Sequence, residues 1–141
     1  MIKEKKVCWE RGSNVVEMAL AMFLLVLLLM AVADFGRAFH TYIIITNAAR
    51  EGARYASRFP AHESGIQQAT IQEATNSGVM LETGDIAITG LDGAAGAPIR
   101  IEVEYDFPMI LGGLISLDEL TMRSSTEMVI FGLDSTGGGT P

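Results

Sequence analysis

At 141 residues the chain supports one modest domain, and once a membrane segment is set aside roughly a hundred residues remain to bury a small core. The net charge of -7 is unevenly placed: before Ser13 stand Lys3, Lys5, Lys6 and Arg11 against Glu4 and Glu10, whereas from Asp34 onward fourteen acids face six arginines. That acidic remainder argues against nucleic acid as a partner, and Cys8, the single cysteine, excludes an intrachain disulfide.

Residues 1–12 read as a short basic leader. Cys8 is a poor candidate for lipid attachment, because lysines rather than an apolar run precede it. Residues 13–33 then carry one charge, Glu17, followed by Met18–Ala33 with none. At about 1.5 Å per residue that segment reaches ~31 Å as a helix, the thickness of a bilayer's hydrocarbon. Ala, Leu, Met, Val and Phe recur on every face, which marks a lipid-embedded helix and not an amphipathic one. The basic end belongs in the cytoplasm by the positive-inside rule, so the bulk of the chain is expected beyond the membrane. Ser13 or Asn14 suits a helix N-cap, with Glu17 in the first turns where the helix dipole favours an anion. An ionised carboxylate in an apolar helix is costly, up to ~2.5–3.5 kcal/mol at the bilayer centre, and such a residue calls for a partner or for an escape to the headgroups.

A basic leader, Gly12, Glu17 as the fifth residue after the glycine, and an unbroken apolar helix resemble the processing signal of the type IV pilin superfamily. The resemblance implies that a prepilin peptidase cuts between Gly12 and Ser13. It also implies that the new amine on Ser13 is neutralised by Glu17 of a neighbouring subunit. Two charges that are each expensive in hydrocarbon become tolerable as a pair, which imposes a register on the assembly.

The helical pattern continues through residues 34–58 as a stalk without proline. Ala38, Tyr42, Ile45, Ala49, Gly52 and Ala56 recur at spacings of four and three, a heptad-like seam whose residues become small toward its end, as if another backbone approached there. Arg50, Arg54 and Arg58 stack at four-residue intervals, and Glu51 stands where it can pair with Arg54. Phe59-Pro60 ends the run. Asp34-Phe35-Gly36-Arg37 and Asn47-Ala48-Ala49-Arg50-Glu51-Gly52-Ala53-Arg54-Tyr55-Ala56 resemble the TadE-like family of pilus-assembly pseudopilins, with Arg50, Glu51, Gly52, Ala53 and Arg54 at the centre of the family motif. Met18 stands where members commonly carry Phe, and Met22-Phe23 where they commonly carry a proline, so a straighter helix is expected.

Residues 59–133 read as a small extracytoplasmic domain. Glu63–Ser77 forms an amphipathic helix with Ile66, Ala69 and Ala74 on its apolar side, closed by Asn76-Ser77-Gly78. Asp85–Thr89 alternates as a strand, Gly90–Pro98 with its three glycines is a flexible loop, and Ile99, Ile101, Val103 and Tyr105 alternate with Arg100, Glu102, Glu104 and Asp106 in the clearest strand. Pro108 stops that strand. Met109–Leu117 is an apolar turn that either closes the core or docks a partner, Leu120–Phe131 gives a last strand, and 134–141 is a Gly/Thr-rich flexible tail. The fold class is therefore α+β: a pilin-like long N-terminal helix packed on a small antiparallel sheet of about three strands.

His40 and His62 lie in different elements without Cys or paired acids at ligand spacing, so no metal site is expected. Ser116, Ser124 and Ser125 lack a nucleophile-elbow pattern or an evident base, and Gly137-Gly138-Gly139 is followed by neither helix nor lysine. No catalytic residue and no cofactor is expected, and the chain is read as not an enzyme. The family resemblance implies a minor pseudopilin in assembly of a Flp/Tad-type, type IVb adhesive pilus. It would sit once through the bacterial inner membrane with its N-terminus cytoplasmic. Its partners would be the prepilin peptidase, other Tad pseudopilins, the Flp pilin, an inner-membrane assembly platform and lipid. The competing readings are an unprocessed membrane anchor with a periplasmic binding domain and a minor pseudopilin of a type II secretion system.

Overall fold

The computed structural model describes residues 7–91, 93–115 and 119–131, with side chains at 12–91, 93–113 and 119–131. Residues 1–6 of the expected leader, the expected tail at 134–141 and Ser116 lie outside the described residues.

One helix, α1, runs unbroken over Val7–Ala56, about 75 Å at the rise of an α-helix. Nothing in its sequence interrupts it, since its 50 residues contain no proline. It begins before the Gly12-Ser13 bond, so Ser13 and Asn14 are interior helical residues and cap nothing, contrary to the sequence expectation. The leader residues ahead of them carry no breaker, and Gly12 costs the helix only about 1 kcal/mol. At the other end the Ser57 hydroxyl donates to the Arg54 carbonyl at 2.8 Å, and the Phe59 amide donates to Tyr55. Those bonds satisfy last-turn acceptors just before Pro60 turns the chain.

The chain reverses into α2, Glu63–Asn76, which returns along the upper half of α1. Ile66, Thr70 and Ala74 are its buried residues; Thr70 takes the inward position expected of Ala69, which is half-buried. Gly78 adopts φ +90°, the Gly78 amide donates to Thr75 and the Val79 amide to Ala74. This is a Schellman closure in which the left-handed residue is the glycine. A 3-10 turn at Thr83–Asp85 leads into β1, Ile86–Thr89, then β2, Pro98–Pro108, a short helix α3, Gly112–Ile115, and β3, Glu119–Val129.

The sheet is antiparallel in the order β1-β2-β3. Its register opposes Ile86 to Val103 and Ile88 to Ile101 on one side of β2, and Val103 to Ser124 and Tyr105 to Met122 on the other. The period of two sends Ile99, Ile101, Val103 and Phe107 inward, where they meet Ile45, Ala49 and Ala53 of α1 and Ile66 of α2 in one core. The other face is wet and carries directly opposed pairs, Arg100 with Glu127 and Arg123 with Glu104. The Gly90–Pro98 connection, expected as a free loop, is tied to the end of β3: Gly96 donates to the Ile130 carbonyl at 3.0 Å and Ile130 to that of Ala97 at 2.9 Å. Asp92 lies outside the described residues.

Candidate functional site: the two halves of the long helix

The domain covers the upper half of α1 and leaves the lower half bare. From Gly12 to Ala33 nearly every side chain is exposed, including Val15, Met18, Phe23, Leu24 and Leu29, and none of the most apolar stretch is covered by the rest of the chain. An apolar rod of this length with no protein cover is matched to lipid or to other helices. Glu17 is exposed on this rod, five residues beyond Gly12, and is absent from the ion pairs found among the described residues. Gly12 lies within the helix with open space where a Cβ would stand.

The seam of small residues has a different occupant from the one expected. Ile45, Ala49, Gly52 and Ala56 are buried, but by the chain's own α2 and sheet. A Cβ built on Gly52 would collide with the Thr70 hydroxyl of α2, so the glycine sets how closely the two helices approach. That hydroxyl is itself committed, donating to the Ile66 carbonyl at 2.9 Å. Next to Gly52, Ala53 is fully buried, whereas Arg50 and Arg54 point outward. Arg54 clamps Glu51 with two donors, Nε to Oε2 at 2.8 Å and a terminal nitrogen to Oε1, and this hydrogen bonding holds the Glu51 carboxyl below its ordinary range against the opposing effect of burial. The five-residue motif therefore divides into an inward pair, Gly52 and Ala53, that seats the domain, an outward ion pair, Glu51 with Arg54, and the exposed Arg50. Because the outward pair is largely solvated it adds little stability.

With Ile45, Ala49, Gly52 and Ala56 occupied, the apolar surface α1 leaves free above the membrane segment is Phe35, Phe39, Tyr42 and Ile43, all exposed, so Tyr42, counted in the seam from its spacing, falls outside its buried part. Sequence spacing does reveal this stripe, at intervals of four, three and one, but small residues drew attention to the other face.

Asp34 enters the sequence reading only as part of the Asp34–Arg37 stretch, and its role there was not foreseen. It is 3 % exposed. Its carboxylate accepts from the Leu111 amide at 2.7 Å, across 77 residues of sequence, and from Arg37 at 3.0 Å. Arg37 in turn lies over the Phe107 ring, 5.0 Å from its centroid. One acid thus fastens the 109–111 turn to the foot of the stalk. The available signal was a lone acid at the end of an apolar run with arginine three residues on. The Leu111 amide foremost, with the Ile110 amide and Arg37 adding, holds the Asp34 carboxyl below its usual range while burial opposes the shift. A depressed acid stabilises the native state above its unfolded value and loses that contribution as pH falls through the folded one. Hydrogen exchange at the Leu111 amide, corrected for intrinsic rate, should therefore show constant protection from neutral pH down to about 5 and declining protection below about 4. The Asp34→Asn variant should lack that acid transition.

The apolar 109–117 segment has mixed roles. Met109 packs against the core, Leu111 is half-buried and Ile110 is exposed; the side chains of Leu114 and Ile115, and residue Leu117, lie outside the described set. Tyr55 shares a 2.9 Å hydrogen bond with His62 Nδ1 and meets the Phe59 ring at a tilt, centroids 5.2 Å apart, with His62 in the α1–α2 turn. Ser124 shares a 3.0 Å hydrogen bond with Thr46 and joins β3 to α1.

Comparison with known proteins gives one result of substance: residues 12–54 match the model of the family described as TadE-like protein. No curated protein and no solved structure matches the chain.

Proposed function

From the match of residues 12–54 to the TadE-like family model, we propose that the chain is a TadE-like minor pseudopilin of a Tad pilus-assembly system, made as a precursor and cut after Gly12. One helix long and apolar enough to cross a bilayer, together with the family match, supports a single-pass membrane protein. In this reading the basic leader stays in the cytoplasm and the α+β domain stands on the far side. The role is structural: the chain contributes a helix and a docked domain to a complex that starts or supports a Flp-type pilus, and no reaction is assigned to it. Its partners are a prepilin peptidase, other Tad pseudopilins or the Flp pilin, and an inner-membrane platform.

The observation that carries this reading is the division of α1. Its upper face is already filled by the chain's own domain, while Gly12, Ser13 and Glu17 stand on a bare apolar rod. On such a rod a carboxylate is tolerable when a cation on an adjacent helix meets it, and cleavage after Gly12 would create that cation on Ser13. Because the Gly12-Ser13 bond lies within α1, cleavage would require the first turns to unwind, which the glycine eases. The N-terminal sequence of protein extracted from membranes with an active prepilin peptidase tests the reading. It should begin at Ser13. An intact Met1–Gly12 leader would refute processing and leave an unprocessed membrane anchor.

A further inference from the structure

Two loop tips hang from the domain at the level where the apolar segment ends. The first is Met109–Leu111, fastened to Asp34 through the Leu111 amide. Its Met109 and Leu111, with Leu120 and Phe107, wall an apolar groove of about 200 Å³ whose other side is α1, from Ala38 down to Ala31. Ala31 belongs to the membrane-spanning segment, so the rim of the domain overlaps the last turn of that segment. The second tip follows the Schellman closure of α2: Gly78 and Val79 share a cleft with Ala33, Gly36 and Arg37. Each tip carries one large apolar side chain left uncovered by the fold, Ile110 at 56 % and Met80 at 82 % exposure. The exposed Phe35 lies on α1 at the same level.

We propose that these two tips are the domain's footing on the bilayer, with Met80 and Ile110 entering the boundary between headgroups and acyl chains. The proposal rests on the reading of 13–33 as membrane-spanning. Lipid is the occupant that continuity requires, because the groove beside Ile110 opens onto Ala31 and is continuous with the surface of the spanning helix. A side chain within one helical turn of the hydrocarbon edge lies inside the interfacial layer, where apolar residues settle ~5–10 Å deep. Two footings set on different loops would hold the domain against tilting, which a single helix leaving the bilayer would not do.

The test uses the full chain, with Trp9→Phe to remove the native indole, reconstituted in phosphatidylcholine vesicles. Single tryptophans are introduced by Met80→Trp, Ile110→Trp, Phe23→Trp or Phe131→Trp, and quenching is measured with phosphatidylcholine brominated either near the headgroup or deep in the acyl chain. Phe131 is exposed and its amide bonds to Ser57, about 36 Å along the helix from Ala33, so it reports the lipid-free end. Shallow bromines should quench Met80→Trp and Ile110→Trp roughly two-fold or more and leave Phe131→Trp unchanged. If both tip tryptophans match Phe131→Trp while deep bromines quench Phe23→Trp, the footing is wrong and the span stands. If Phe23→Trp is also unquenched, the span itself fails. Blue-shifted but unquenched emission at the tips would mean that protein, such as a second copy, covers them, and would overturn the proposal.

Discussion

Glu17→Ala should leave the chain in the membrane and lower pilus yield by on the order of a hundredfold. Removing one partner of a desolvated ion pair costs about 3–5 kcal/mol because the other charge stays behind unpaired, and each 1.4 kcal/mol is tenfold in an equilibrium. In the proposed assembly that stranded charge is the Ser13 amine of a neighbour. Insertion itself should be unharmed, since the variant only makes an apolar helix more apolar. Glu17→Gln, which keeps shape and loses charge, should behave like Glu17→Ala. Sheared-pilus quantification beside a membrane immunoblot separates the two effects. Unchanged pili at unchanged membrane levels would mean that Glu17 merely reaches for the headgroups.

The second large effect belongs to Gly52. A glycine inside a helix ordinarily costs about 0.5–1 kcal/mol relative to alanine, so Gly52→Ala would be stabilising if a methyl group fitted. It meets the Thr70 hydroxyl instead. Overpacking a filled core costs about 1–3 kcal/mol, so a net loss near 1–2 kcal/mol is expected, or a fall in Tm of roughly 4–8 °C per kcal/mol for a domain of this size. The remaining neighbours of that methyl position, the Thr70 Cβ at 3.4 Å and the Ile101 Cγ2 at 3.5 Å, are ordinary contacts. Gly52→Ala with Thr70→Ala should therefore recover most of the loss. Such coupling in a double-mutant cycle is expected only where the two residues touch, and additive losses would deny the contact.

These two residues also show what the chain discloses in one dimension. Glu17 is legible because its meaning is local: a charge in an apolar run at a fixed distance from a glycine. The long helix follows from the absence of proline, β2 from its strict alternation, and the end of α2 from Gly78. Gly52 is legible only as permission for something to come close; the spacing of small residues does not say whether the visitor is α2 of the same chain or a helix of another. The structure answers in favour of α2, which moves the free surface of the stalk to Phe35, Phe39 and Ile43. Asp34 was not legible, because its partner is a backbone amide 77 residues away and amides leave no mark in a sequence. The extension of α1 past Ser13 was missed for a related reason: a good capping residue caps only where something else stops the helix.

The division of the helix into a filled upper face and a bare lower rod is open to direct measurement by single cysteines in a Cys8→Ser background, oxidised in membranes that contain the pilus machinery. Cysteines at Leu20 and Leu24, on the uncovered rod, should give disulfide-linked products with neighbouring subunits, and cysteines at the buried Ala49 and Ala53 should give none. Strong products from Ala49 or Ala53, with none from Leu20 and Leu24, would contradict it.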